Sequence, residues 1–288
     1  MEILSAKELA AYLKINEKKV YQLARESSIP HAKIGGKIAF VREIIDGWIK
    51  EKTASERHLF LAGSDDFLMK KVIDEYNARG GSTIFYAPVG SINGLSLLRE
   101  KVANISCVHI LDMEKKAYTL SYLDRYLSGE RYIAIHLYFR EQGLYVVKNN
   151  PKRISSLHDI AAGTVSFVNR NGGSGTRLLI DFLLHEEKID AGSIKGYKRE
   201  VGSHLQAGLA VLRGEADASF GIRHLAHLLD LSFIPLFRER FEMVIPEAIY
   251  RSERIRDFLS FFDQGKLMAL AGDSTGYDTT ETGSIIST

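Results

Sequence analysis

The sequence has few of the features that mark secreted, membrane-spanning or disulfide-stabilised proteins. Its 288 residues include one cysteine, Cys107, so no internal disulfide can form. The apolar neighbours Ile105, Val108 and Ile110 indicate a buried structural thiol. No stretch approaches the roughly 18 apolar residues of a membrane span, and the N-terminus lacks a basic-then-apolar export pattern. We therefore expect a cytoplasmic protein that has no membrane partner.

The sequence also lacks a strong overall charge. Lysine and arginine total 38 and aspartate and glutamate 36, which gives +2. The excess is uneven, because residues 1–57 hold 11 basic and 8 acidic residues, or +3, and leave −1 for the other 231. The length predicts about two domains, and the basic excess lies in the first of them.

Residues 1–52 have the pattern of a small helical domain. Ser5 precedes an amphipathic stretch and is followed three residues later by Glu8, which is the spacing of a capping box. Asn16 then precedes a second helix, 17–25, whose apolar residues share one face while its basic residues point outward. Two short helices joined by a tight turn, the second one basic, predict a helix-turn-helix. The alternative is a solvated basic face on a small helical domain.

A predicted β-hairpin and a third helix complete this unit. Residues 31–40 form two short strand-like runs around Gly35-Gly36, and 42–49 is a helix with an apolar face. In this order of elements, the first fifty residues resemble the excisionase-like winged helix-turn-helix family, which is related to the MerR-type regulators. The resemblance implies that the second helix enters the major groove of DNA and that wing lysines contact phosphates. The DNA-binding candidates are Lys18, Lys19, Tyr21, Gln22, Arg25, Lys33 and Lys37.

The wing departs from the family in one respect. An arginine is frequent after the Gly-Gly turn in that family, whereas this chain has Ile38 and Ala39, so we expect weak contacts between wing and DNA. Residues 53–57 are polar and read as a linker or as an extension of the preceding helix.

Residues 58–288 have a different residue pattern and form the second predicted domain. Strand-like runs alternate with helices, which predicts a mainly parallel sheet. Four strand-to-helix junctions carry a Gly-Ser pair, and ligands of open α/β sheets bind at such junctions. The pairs are Gly63-Ser64, Gly90-Ser91, Gly173-Ser174 and Gly202-Ser203.

The junction from Gly172 to Arg177 has the strongest anion-binding pattern. It follows a strand-like run at 164–168 and opens a predicted helix at 177–187. Glycine lets the backbone approach a ligand closely, and the first N–H groups of a helix have no partner within the helix. Ser174 and Thr176 add hydroxyl donors, and Arg177 adds a cation. A simple N-capped helix after a flexible loop is the alternative.

Catalytic and metal-binding patterns are missing from the sequence. No Gly-x-Ser-x-Gly surrounds Ser174 or Ser91, no lysine lies between residues 164 and 187, and no third glycine completes a dinucleotide fingerprint. No His-Glu-x-x-His occurs. We therefore predict no catalytic residues, no metal and no cofactor. Asp65 and Asp66 fit the first turn of a helix better than an acid–base pair.

Hydroxyls, backbone N–H groups and at most one cation suit a small, fully ionised oxyanion. A protonated anion such as hydrogenphosphate would also need an acceptor, for which Asp65 is the only obvious candidate.

Several segments of this domain resemble the cytoplasmic periplasmic-binding-protein-like domain of molybdate- or tungstate-responsive regulators. They are 167–177, Gly196-Tyr197, 214–218 and 276–283. The resemblance implies an α/β type II periplasmic-binding-protein-like fold with two lobes, joined by crossing strands at 140–147 and 233–244. Lobe 1 would comprise about 58–143 and 243–288, and lobe 2 about 144–242.

The same resemblance assigns residues to the oxyanion between the lobes. They are Ser64, Ser91, Ser174, Gly175 and Thr176, with Arg177 as a ligand or a brace of the loop, and Ser203 at the fourth junction. A Thr-His pair is usual at that junction, and this chain has Ser203-His204.

Together the two domains predict a one-component transcriptional regulator that binds molybdate or tungstate and DNA. Anion binding would shift the lobes and reposition the DNA-reading domains, and a two-fold operator implies a homodimer. The alternatives are an intracellular oxyanion carrier or buffer without DNA regulation and an enzyme acting on a phosphorylated or sulfated metabolite. Residue types alone do not separate molybdate, tungstate and sulfate.

Overall fold

A computed structural model describes residues 2–55, 58–112, 115, 121–127, 129–272 and 276–286. The chain divides into two compact units, Met1–His58 and Leu59–Thr288. Of the predicted linker, residues 53–55 are the end of a helix, and 56–57 lie outside the described residues. Over the described part of the chain, no helix is long and apolar enough to cross a bilayer.

The N-terminal unit is a small helix-turn-helix domain. Its elements are β1 (Ile3–Leu4), α1 (Ala6–Leu13), α2 (Glu17–Arg25), β2 (Ala32–Ile34), β3 (Lys37–Val41) and α3 (Arg42–Ser55). The predicted capping box is confirmed, because the Ser5 hydroxyl accepts from the N–H of Glu8 and the Glu8 carboxylate accepts from the N–H of Ser5 at 2.8 Å. The Asn16 side chain caps α2 by accepting from the N–H of Lys19 at 3.0 Å.

The predicted hairpin is confirmed as β2 paired with β3. Gly35 and Gly36 lie at its turn with φ of 55° and 80°, the left-handed region that a tight hairpin turn requires. Strand β1 adds a third, antiparallel strand to β3 that was not predicted, because two residues carry no readable periodicity. Leu9, Val20 and Phe40 are among the buried residues that hold the unit together.

The C-terminal unit is an α/β domain. Its strands are β4 (His58–Gly63), β5 (Thr83–Ala87), β6 (Ile105–Val108), β7 (Tyr132–Val146), β8 (Phe167–Arg170), β9 (Glu200–Val201), β10 (Ala218–Ile222), β11 (Ser232–Pro246), β12 (Tyr277–Asp278) and β13 (Ile285–Ile286). Its α-helices are α4 (Phe67–Ala78), α5 (Ser91–Arg99), α6 (Ser121–Tyr126), α7 (Leu157–Ala161), α8 (Gly175–Glu186), α9 (His204–Leu212), α10 (Arg223–Leu228), α11 (Glu247–Tyr250), α12 (Glu253–Leu259) and α13 (Gln264–Ala271).

The strands form one sheet in the order β5-β4-β6-β11-β7-β10-β8-β9, with β12 and β13 also paired to β7. The flanks are parallel, β4 with β6 on one side and β10, β8 and β9 on the other. The prediction of a mainly parallel sheet is wrong for the middle, where β7 and β11 pair antiparallel along their whole length. These two strands run between the lobes in opposite directions, so they cannot be parallel.

Each lobe has its own apolar core on either side of the crossing strands. The larger cluster of lobe 1 contains Tyr138 and Phe241 together with Cys107, whose predicted burial is confirmed. The main cluster of lobe 2 contains Leu144 and Phe220. Burial raises the pKa of the Cys107 thiol well above its ordinary value, so this thiol stays protonated.

Helix α8 begins at Gly175, two residues before its predicted start at 177. The glycine-rich sequence suggested loop there, but the Ser174 side chain caps the helix and sets its start. Helices α5 and α9 begin at Ser91 and His204, directly after Gly90 and Ser203. The junction residues therefore present helix N-termini to the region between the lobes.

Candidate functional site

Two buried serines of lobe 1 lie side by side at neighbouring junctions. The hydroxyl oxygens of Ser64 and Ser91 are 2.6 Å apart, and that of Ser91 also accepts from the N–H of His109 at 3.3 Å. The preceding residue, Gly63, has φ of 143°, and a Cβ there would lie 2.8 Å from the backbone nitrogen of Cys107. Glycine is thus needed for β4 to end against β6 and place Ser64 in the cleft.

The first turn of α8 forms the facing wall in lobe 2. Thr176 is buried, and its hydroxyl oxygen accepts from the Gln142 side-chain amide at 3.1 Å. Because the amide is the donor, the hydroxyl hydrogen of Thr176 remains available to an anion. Ser174 caps the helix by accepting from the N–H of Arg177 at 3.1 Å, and its hydroxyl donates to the carbonyl of Asn171.

The two walls touch each other. The N–H of Ile92 in lobe 1 donates to the carbonyl of Gly173 in lobe 2 at 3.4 Å. A Cβ on Gly175 would press on the imidazole ring of His109 and lie 2.5 Å from its carbonyl oxygen. The described structure is therefore a closed arrangement, in which Gly175 permits close approach of the lobes.

Arg177 and Ser203 have partners within lobe 2. The Arg177 guanidinium donates to Asp181 at 2.9 Å and to Glu200 at 2.6 Å, and it lies over the ring of Tyr197. In this arrangement Arg177 braces α8 against β9, and its contact with an anion stays a prediction. Ser203 caps α9 by accepting from the N–H of Gln206 at 3.1 Å.

A buried charged cluster lies on the crossing strands, and sequence reasoning missed it. Arg140 on β7 pairs with its cross-strand neighbour Glu239 on β11, and it donates to the Asp66 carboxylate at 2.6 Å and to Nδ1 of His109 at 3.1 Å. Burial raises the pKa of Glu239, while Arg140 opposes that rise. The readable signal was Arg140-Glu141-Gln142 inside an otherwise apolar run.

Arg170 at the end of β8 was also missed. It is 3 % exposed, and its Nη2 donates to the carbonyl of Gly202 at 3.2 Å. Among the described residues, its Nε and Nη1 have no hydrogen-bond partner. Burial lowers the pKa of Arg170, yet arginine stays charged in proteins. A buried guanidinium with unused N–H groups is costly, and a bound anion would satisfy it.

His109 and His204 line the same region as neutral imidazoles. Burial lowers the pKa of both well below its ordinary value, and the positive charges of Arg140 and Arg170 lower it further. Because Arg140 donates to Nδ1 of His109, the hydrogen of that ring lies on Nε2. Within the described structure this Nε2 makes no hydrogen bond and lies 3.7 Å from the buried Glu239 carboxylate.

The DNA-binding candidates lie on the surface of the N-terminal unit. Lys18, Lys19, Tyr21, Gln22 and Arg25 are exposed on α2, and Lys33 and Lys37 are exposed beside the wing turn. Val20 and Ala24 on the opposite face are buried, as the amphipathic pattern predicts. Lys19 donates to the Gln22 side chain at 3.1 Å on this face. The contact of these residues with DNA stays a prediction.

No group of three or more histidine, cysteine, aspartate or glutamate side chains is arranged to hold a metal ion within the described ranges.

Two family models match the chain. One, described as "PBP superfamily domain", matches residues 73–263, and the other, described as "Helix-turn-helix domain", matches residues 3–53. Both are binding or regulatory types of domain.

Similar proteins match over most of the chain. The uncharacterized Bacillus subtilis protein YvgK is 27 % identical and covers 97 % of this chain and 96 % of its own length. A Clostridium perfringens protein described as a phosphate ABC transporter substrate-binding protein, with bound phosphate, has a TM-score of 0.61 at 14 % identity over 77 % of this chain and 99 % of its own. The CcmR regulatory domain of Synechocystis in complex with 2-PG has a TM-score of 0.55 at 15 % identity over 75 % and 98 %. Both structures show likeness of fold.

Proposed function

We propose that this chain, which belongs to the PBP superfamily by its residues 73–263, is a one-component transcriptional regulator that binds molybdate or tungstate. The helix-turn-helix domain at residues 3–53 supports the DNA-binding part of this proposal. A DNA-reading domain joined to a ligand-binding domain is the organisation of a ligand-responsive regulator. We assign DNA binding to residues 1–52 and anion binding to 58–288. Lobe 1 would be about 58–143 and 243–288, and lobe 2 about 144–242.

The unsatisfied guanidinium of Arg170 carries the proposal for an anion. Its Nε and Nη1 are buried and have no hydrogen-bond partner in the described structure. The hydroxyls of Ser64, Ser91 and Thr176 lie at the same junctions. These groups are donors, so they suit an anion whose oxygens accept every bond, and molybdate and tungstate are fully ionised near neutral pH.

The DNA side of the proposal rests on the exposed basic face of α2. Lys18, Lys19 and Arg25 would neutralise phosphates or contact bases, and DNA affinity should then fall with salt. A single helix-turn-helix reads one half-site, so we propose that a homodimer binds a two-fold operator. Both activities imply a cytoplasmic protein.

The test joins anion binding to DNA binding in the full chain. Calorimetric titration with tungstate, molybdate, sulfate and phosphate should show tightest binding for tungstate or molybdate. Fluorescence anisotropy with DNA from upstream of the protein's own gene should then show an affinity that changes when the tight-binding anion is added. An unchanged DNA affinity with every anion would contradict regulation.

A matched pair of variants separates the two domains. Arg25→Ala should weaken DNA binding about tenfold or more and leave anion affinity unchanged. Lys7→Ala removes an exposed positive charge from α1 and should have the smaller effect on DNA. The rival proposal, an oxyanion carrier or buffer, expects anion binding without operator-specific retention in a filter-binding assay.

One observation favours a second ligand class, an organic anion with an apolar body. An apolar groove of about 560 Å³ opens beside Asp65 and His204, and its other lining residues include Phe85, Leu205 and Leu228. Titration with aromatic and aliphatic carboxylates and phosphate esters tests it. Tighter binding of such a compound than of tungstate would favour this class.

A further inference from the structure

A carboxylate of lobe 1 reaches across the cleft to lobe 2. The Asp65 Oδ2 accepts from the backbone N–H of His204 at 3.0 Å, although 139 positions separate the two residues. His204 is the first residue of α9, so the carboxylate lies at a helix N-terminus, where anions are favoured. The backbone of Asp65 is itself held, because its carbonyl accepts from Arg140 at 3.2 Å.

Arg170 reaches the same junction from the other side. Its Nη2 donates to the carbonyl of Gly202, two residues before His204. Burial lowers the pKa of Arg170, and the Asp65 carboxylate is the largest charge effect that opposes this. The carboxylate of Asp65, the guanidinium of Arg170 and the N-terminus of α9 therefore share one small region.

The charges of this region leave little attraction for a free dianion. Arg140 is paired with Asp66 and Glu239, both buried. Arg170 has no ion-pair partner in direct contact among the described residues, and Asp65 is the remaining nearby carboxylate. An anion that approaches Arg170 must also approach Asp65, and two like charges at close range in a poorly solvated site repel strongly.

We propose that Asp65 is a tethered anion that occupies the ligand's place at the N-terminus of α9, and that a dianionic ligand binds by displacing it. The proposal rests on the anion-responsive function proposed above and adds a specificity-determining residue to it. Asp65 neutralises the site when no ligand is present. It also raises the anion concentration at which the cleft responds. The ligand must interact with Arg170 and with the N–H of His204 more strongly than the Asp65 carboxylate does.

The test removes the charge and keeps the shape. In Asp65→Asn the amide oxygen can still accept from the N–H of His204, so the contact between the lobes persists while the negative charge is lost. Calorimetry on the full-length variant should show tungstate, molybdate and sulfate each binding roughly tenfold tighter or more than to the unaltered protein. Asp230→Asn is the matched control, because Asp230 is exposed, pairs with Lys148 and does not line the groove beside Asp65. The anion affinity of this variant should equal that of the unaltered protein.

Asp65→Ala is the second variant and is used in case Asp65→Asn disturbs folding. Thermal unfolding verifies that both variants are folded. It removes charge and hydrogen bond together, and anion affinity should be no weaker than in the unaltered protein. If both variants bound all anions tenfold more weakly, Asp65 would assist binding and the proposal would be overturned. Selective loss of phosphate alone would also overturn it, because Asp65 would then accept a proton from hydrogenphosphate.

The proposed function and this inference fail in different ways. If the unaltered protein binds a dianion and Asp65→Asn binds it no tighter, the inference fails and the function stands. If the unaltered protein binds none but Asp65→Asn binds tungstate, Asp65 blocks the site without being displaced, and the inference fails. Absence of binding by both proteins would overturn both.

Discussion

The hydroxyl oxygens of Ser64 and Ser91 lie 2.6 Å apart in the buried wall of lobe 1, and one hydroxyl donates to the other. Ser91 also accepts from the N–H of His109, so a chain of hydrogen bonds runs from the residue after β6 to the two serines. A pair of hydroxyls has two hydrogens and uses one in the mutual bond. The other hydrogen has no partner among the described residues, and we expect it to point to the ligand.

The first prediction concerns this hydroxyl pair. Ser91→Ala should weaken oxyanion affinity by about 1.5–3 kcal/mol, because a hydrogen bond to a charged group is lost. Calorimetric titration of the tightest-binding anion measures the change. Ser193→Ala is the control, since Ser193 belongs to an exposed Gly-Ser pair outside the four junctions. Equal affinities of the two variants would remove Ser91 from the site.

The second prediction concerns the contact between the lobes. Gly175→Ala should reduce anion affinity about tenfold or more, because the added Cβ presses on His109 and keeps the lobes from closing. Gly172→Ala three residues earlier is a matched control, because a Cβ there meets nothing within 4 Å. Small-angle scattering with saturating anion should show the compact form for Gly172→Ala only. If Gly175→Ala closes normally, the described contact is not needed for binding.

The third prediction separates two arginines. Arg170→Met should lower anion affinity about a hundredfold or more, because the buried charge is lost. Its melting temperature without anion should change little, because removal of a costly buried guanidinium offsets the loss of the bond to Gly202 and of the attraction to Asp65. Arg177→Met should do the opposite, losing the bonds to Asp181 and Glu200 and keeping anion binding. The reverse pattern in calorimetry and thermal unfolding would make Arg177 the ligand.

The fourth prediction concerns pH. His136 on β7 is fully buried, and burial together with the positive charge of the nearby Arg240 lowers its pKa to about 4. The unfolded chain binds the proton below pH 6.5 and the folded chain does not, so stability falls as pH falls from 6.5 toward 4. At pH 5 this residue should cost about 2 kcal/mol relative to pH 7.5.

Urea unfolding at both pH values measures that cost. His136→Leu should remove about 2 kcal/mol of the pH dependence. His185→Leu, at an exposed position on α8, should leave it in place. If His136→Leu keeps the full pH dependence, other groups cause it.

Local signals in the sequence predicted much of this fold. Ser5 with Glu8, Asn16 and the Gly35-Gly36 turn act over a few residues, so their structural effect can be read directly. The repeated Gly-Ser pair likewise indicated the junctions that meet in the closed cleft. The predicted start of α8 at 177 is two residues late, because the sequence pattern favours loop at Gly175. In the structure, Ser174 is the N-cap and Gly175 is the first residue of the helix.

Long-range partners account for what the sequence did not reveal. Arg140 and Glu239 are 99 positions apart, and the local sequence around either residue does not indicate the other as its partner. Arg170 follows an apolar strand and resembles an ordinary solvated residue, yet the approach of the junction at Gly202 buries it. Buried charge therefore depends on which strands become neighbours, and periodicity does not specify that pairing.

The strand that carries Arg140 is completed by a segment far along the chain. Strands β12 and β13, within residues 276–286, lie along the edge of β7, and Tyr277 pairs with Arg140 and donates to Asp66 at 3.0 Å. During synthesis, β7 leaves the ribosome long before this segment does, and its edge stays open until then. The sheet of the C-terminal unit is thus completed in a late step, and a nascent chain halted before residue 276 would contain every predicted anion ligand but have an unfinished sheet behind them.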